Sequence, residues 1–242
     1  MPSPSPEGIP SAGTATNAWP STIWDLVQRS HAGPAESRRR ALDDLFRLYY
    51  KPVHRFFQRA LRVGERDLED LTQDFFTRFV EKDFLRNLQH EKSFRGFLKV
   101  ACRRHFINWL EARNAAKRGG ERAVPLEDSG MAVTEDKIDG LIDDELRAWY
   151  LEEAVDRAKQ ELTAQGKETY FKVFEARAGL RNGEPVDYKA LAAEFGISVY
   201  DVSNHLLSAR KVFRQALIQL AAERSTHPTE ELRELGLHKY LA

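Results

Sequence analysis

Apolar residues recur at three- and four-residue spacing through most of this chain. No stretch alternates apolar and polar positions with the period of two that a strand requires. Leu42, Leu45, Phe46, Tyr49 and Tyr50 form one such row, and Pro52 is expected to open a further helix carrying Val53, Phe56 and Phe57. The helical pattern runs from Thr22 to about Arg118, where Gly119-Gly120 closes it. A second helical block spans about Leu146 to Glu223, with a loop between Gly179 and Pro185. Thr229 to Leu241 predicts one short amphipathic helix. The expected fold class is all-α.

Within the second block, Tyr188 to Phe213 has the spacing of a helix-turn-helix. Leu191 and Phe195 share one helical face, and Ala192 is small where a second helix must cross. Gly196 supplies the left-handed backbone of a tight turn, Ile197 plugs the gap, and Ser198 caps the next helix. Val202 and Leu206 face inward. Val199, Tyr200, Asp201, Ser203 and Asn204 are left outward, where a major groove would meet them. The plainer alternative is an αα-hairpin inside a helical core.

Two patterns in the first block carry chemistry. Along Asp67 to Phe79, the residues Leu68, Leu71, Phe75 and Phe79 form a buried stripe. Asp67, Asp70, Gln73, Asp74, Thr77 and Glu81 form an acidic, amide-bearing outer face, which is either a solvated surface or a docking face. Asp67, Asp70 and Asp74 also suit a divalent ion, but no His or second carboxylate cluster completes a shell, so no metal or other cofactor is expected. From Phe94 to Arg122, cations dominate and aromatics are interleaved: Phe94, Phe97, Phe106 and Trp109. Cations neutralise phosphates, and aromatic faces stack on unpaired bases at ~1–3 kcal/mol per base. Phe97 and Phe106 are expected in the core, and the Lys and Arg are expected to meet nucleic acid, the alternative being a solvated face.

Composition narrows the classes. Lys+Arg and Asp+Glu balance at 37 each in 242 residues, so the distribution of charge matters more than its sum. Residues 1–21 are rich in Pro, Ser, Gly and Ala and read as a disordered tail. Residues 121–145 are strongly acidic and read as a linker, leaving domains at 22–120 and 146–224 and an extension at 225–242. Cys102 is the only cysteine, which excludes an intrachain disulfide and fits a cytoplasmic setting. No apolar run approaches the ~20 residues of a membrane span, and no secretory signal is evident. No Ser/His/Asp set or phosphate loop suggests catalysis.

The order is diagnostic: an Asp-x-Glu-Asp-Leu-x-Gln-Asp-x-Phe helix, a Phe-Arg-x-Phe-Leu basic-aromatic helix, an acidic linker, then a helix-turn-helix. It resembles bacterial RNA polymerase sigma factors of the small two-domain, extracytoplasmic-function (ECF) type, over about Thr22 to Ala222. The resemblance implies a sigma region 2-like bundle and a sigma region 4-like helix-turn-helix. It implies a non-catalytic initiation factor that binds core RNA polymerase through the β′ clamp helices and the β flap, and binds promoter DNA. Asp70, Gln73 and Asp74 match the positions that dock on the clamp helices. Lys99, Arg103, Arg104, His105, Asn108 and Arg113 are the candidates on the helix that matches the family's segment for melting and reading the minus-ten element. Tyr200, Ser203, Asn204 and His205 match the minus-thirty-five reader, with Arg210, Lys211 and Arg214 toward phosphates. Whether an anti-sigma partner exists stays open. A regulator acting without polymerase is the alternative, and a metal-dependent nucleic-acid enzyme a third class. The acidic linker and the tail also offer carboxylates to the basic helix; held against it, they would close the free protein.

Overall fold

The computed structural model describes residues 34–61, 64–81, 94–118, 135–181, 183–225 and 227–241. The expected tail at 1–21, linker residues 121–134 and Arg122 lie outside the described residues, as do the side chains of Phe79, Glu81, Lys117 and Arg118. Within the described residues every regular element is a helix, as the spacing predicted: α1 (Ala35–Ala60), α2 (Glu65–Glu81), α3 (Phe94–Arg118), α4 (Glu135–Ala164), α5 (Glu168–Arg177), α6 (Tyr188–Phe195), α7 (Val199–Arg224) and α8 (Pro228–Glu234), then a 3₁₀ turn at His238–Tyr240.

The first three helices build an aromatic core. Val53, Phe56 and Phe57 of α1 meet Leu68, Leu71 and Phe75 of α2 and Leu98, Cys102 and Phe106 of α3, all essentially buried. Phe57 lies 5.8 Å from Phe75 and Phe56 lies 6.1 Å from Phe106, ring to ring. Truncating such a side chain to Ala costs about 3–5 kcal/mol, so this packing sets the mutual placement of α2 and α3.

Two expectations change. Pro52 does not open a new helix; it sits inside α1. Its ring removes one backbone donor, but Pro52 and Val53 are both buried, and that packing offsets the lost bond. Residues 135–145 of the expected linker are helical, and α4 runs unbroken across the expected boundary at residue 146. Ile138, Ile142 and Leu146 recur at the helical repeat and are buried, so the acidic residues between them occupy the flanks of an amphipathic helix.

Helix α4 is the spine. It packs on α1 and α3 through its first half and on α5 and α7 through its second. The second half of the molecule is closed by Leu162, Phe171, Val173, Leu191, Val202, Leu206 and Leu217, all buried. The two packing groups form one continuous core through Trp149 and Tyr150.

Candidate nucleic-acid interface

Three surfaces hold the candidate residues. The first is α2. Leu68, Leu71, Thr72, Phe75 and Phe76 are buried, so the opposite face is forced outward. Asp67, Asp70 and Gln73 are exposed there. Asp74 is half-exposed; it pairs with Arg78 at 2.8 Å and approaches His105 Nε2 at 3.7 Å.

The second surface is α3, and here the candidates separate. His105 is buried: its Nε2 lies 3.2 Å from the Leu71 carbonyl oxygen, and its ring packs on Phe57 and Phe75. It joins α3 to α2, which is not where a base-contacting group was expected. Arg104 and Asn108 are exposed on the outer face. Arg113 lies over the Trp109 ring at 4.8 Å and 3.8 Å from Asp67. Lys99 bonds Asp143 at 2.7 Å, and Arg103 lies 3.4 Å from Asp139. Arg95 bonds Asp143 at 2.7 Å and also pairs with Glu231 and Glu234 of α8. Acidic residues of α4 thus lie along the basic side of α3. On α1, Arg59 meets Glu145 and Lys51 and Arg55 meet Glu152 in the same way. Burial alone would raise the Glu152 carboxyl, but hydrogen bonds from Arg55 and Lys51 bring it below the usual carboxylate range.

The third surface is the helix-turn-helix. Asp187 caps α6 through the backbone N–H groups of Lys189 and Ala190. Gly196 ends α6 at φ 64°, the left-handed turn its position predicts. Ser198 and Asp201 form a reciprocal capping box at the start of α7. The Asp201 carboxylate accepts from both the backbone N–H and the hydroxyl of Ser198, and these bonds hold it below the usual range. Asp201 is therefore committed to the cap.

On the outer face of α7, Val199, Tyr200, Ser203 and Asn204 are exposed, with Tyr200 at 74%. His205 is half-buried and stacks on Tyr170 at 3.8 Å. Burial holds its imidazole below the ordinary 6.5, against the pull of Asp201. It supports the reading face from behind. Arg210 and Lys211 are exposed. Arg214 is half-buried, its Nη1 donating to the Leu241 carbonyl at 3.4 Å.

One exposed position escaped the sequence reading. Leu207 is 66% exposed and lies seven residues from Tyr200 on the same face of α7. The spacing pointed outward, while its apolar character argued for the core. Among the described residues, no group of three or more His, Cys, Asp or Glu side chains converges as a metal site, and no helix is long and apolar enough to cross a membrane.

A capped helix-turn-helix is joined through one long helix to an acidic-and-basic helical bundle, which defines an all-α helix-turn-helix protein. The family model described as ECF sigma factor matches residues 21–219, and the chain belongs to that family. It is thus an RNA polymerase sigma factor, which acts with core polymerase and promoter DNA without catalysing a reaction itself. Searches of curated proteins and of solved structures each returned no match.

Proposed function

We propose that the three surfaces divide the work of promoter recognition and melting. The outward face of α2 docks on the β′ clamp helices of core polymerase, with Asp70, Gln73 and Asp74 meeting basic partners. Arg104, Asn108 and Arg113 on α3, with Lys99 and Arg103 once their acidic partners part, hold the melted minus-ten strand. The start of α7 reads the minus-thirty-five element: Tyr200, Ser203 and Asn204 at base edges, Arg210 and Lys211 at phosphates, and α5 to α7 resting on the β flap. His105 and His205 serve as positioning residues behind these surfaces.

The observation that carries this reading is the two-sidedness of α2. Its apolar face is locked into the aromatic core, so Asp70 and Gln73 stand on a rigid, exposed row. The test is the double variant Asp70→Arg/Asp74→Arg. It is expected to fold normally and to lose co-purification with core polymerase; normal co-purification would sink the docking claim. A regulator acting without polymerase would bind duplex DNA but not support run-off transcription with core enzyme.

A further inference from the structure

The C-terminal segment lies beyond the residues that match the family, yet it is built into the molecule. Leu232, Leu235 and Leu237 are essentially buried. Gly236 closes α8 at φ 67°, and the Leu237 N–H bonds the Leu232 carbonyl at 2.7 Å, which turns the chain back onto the core. Two arginines of other helices hold this segment by its backbone. Arg147 of α4 donates to the Leu235 carbonyl at 2.6 Å, and Arg214 of α7 reaches Leu241. Tyr240 meets Phe213 edge-on at 6.2 Å.

The same segment crosses to the first half of the molecule. Glu231, only 7% exposed, lies 3.6 Å from Arg95 of α3, and Glu234 pairs with the same guanidinium. With Asp143, three carboxylates converge on Arg95. Lys99 is the second cation of this cluster and bonds Asp143, so the three carboxylates offset both cations there. Arg224 of α7 is buried beside it, stacked on Trp149 at 4.4 Å. Burial also raises the Glu231 carboxyl, Arg95 opposing, as expected for an acid enclosed by a folded segment.

We propose that the cleft formed by Arg95, Arg147, Trp149 and Arg224 is a receptor for an acidic–apolar helix, and that its occupant is this chain's own segment 227–241. Docked there, the segment acts as a strap. It ties α3 to α4 and α7, keeps Arg95 paired with acid, and holds the free protein closed. Release of the strap removes two of the three carboxylates at Arg95 and opens that end of α3 to DNA. This rests on the reading of α3 as a promoter-facing surface.

The test uses the full chain, a chain lacking residues 226–242, and the variant Glu231→Gln/Glu234→Gln, which keeps the three leucines and guards against a truncation that unfolds. Forked promoter DNA is titrated by fluorescence anisotropy. Hydrogen exchange is followed across residues 94–118. The truncated chain and the double variant are expected to bind the fork about tenfold tighter, the factor for a closed form holding about nine molecules in ten. Exchange in α3 should quicken, and a synthetic peptide of residues 225–242 added to the truncated chain should reverse both. Unchanged exchange with no peptide binding would overturn the strap, and faster exchange with unchanged fork affinity would overturn its masking role. The reading of α3 is tested apart: full-length Arg104→Ala/Asn108→Ala with core polymerase should lose open complexes. If it does not, the promoter reading falls, while the peptide and exchange results still judge the docking.

Discussion

The basic side of α3 and the outer face of α7 were both expected to meet DNA, yet they are built on opposite terms. On α3, Arg95, Lys99 and Arg103 lie against acidic residues of α4, and α8 adds two more at Arg95. On α7, Tyr200, Ser203, Asn204 and Leu207 stand exposed, and the acid among them, Asp201, is tied into the helix cap. A cationic surface has strong, long-range affinity for any phosphate chain and gains from being covered. A face of one amide, two hydroxyls and apolar groups has little long-range affinity of its own and reads base edges and methyl groups at contact range, so it can stand open. On the function proposed above, specificity is always presented and non-specific grip is released on demand.

The comparison can be broken most sharply at α7. Asn204→Ala with Leu207→Ala is expected to lower affinity of the polymerase-bound protein for duplex promoter DNA by about 10- to 100-fold, the weight of one or two base contacts. Core polymerase binding should not change, and equal losses on scrambled duplex would show that the face carries no sequence information. Next comes the turn that aims this face. Gly196→Ala meets no atom within 4 Å, so its cost is that of the left-handed backbone alone, about 1–2 kcal/mol of unfolding free energy by denaturant titration.

A smaller effect is expected on the other surface. Asp139→Asn/Asp143→Asn removes acidic cover from α3 while leaving both strap carboxylates, Glu231 and Glu234, in place. These ion pairs are partly buried, and even at the about 0.2–1 kcal/mol each of exposed pairs, binding of the free protein to forked DNA should rise about threefold, and more at low salt. No rise would mean that α4 does not silence α3. The smallest effect concerns pH. Because the folded pKa of His205 lies below its ordinary 6.5, the unfolded chain binds its proton first. Its contribution is therefore intact above about pH 6.5 and is lost as pH falls through the lowered value. Thermal unfolding of the native chain should lose more stability from pH 8 to 5 than that of His205→Gln.

The helix-turn-helix was legible because its determinants are local. Gly196, Ser198, Val202 and Leu206 act within one turn of their own positions, so spacing alone predicts turn, cap and buried face. The apolar stripe of α2 was legible for the same reason. His105 was not: in sequence it is one more base in a basic run, and only the crossing of α3 over α2 sets its ring against the Leu71 carbonyl. The acidic stretch was misjudged in its second half because charge masked the row of Ile138, Ile142 and Leu146 that makes it a helix.

By itself, then, the sequence determined the helical class, the capped turn, the outward acids of α2 and the family. These follow from periodicity and short-range hydrogen bonding, which depend on neighbours along the chain. Which basic residues face solvent, where the tail lies and how the two halves are joined were decided by tertiary structure. Arg95 and Glu231 are distant in sequence and meet because Leu232, Leu235 and Leu237 bury themselves in the core.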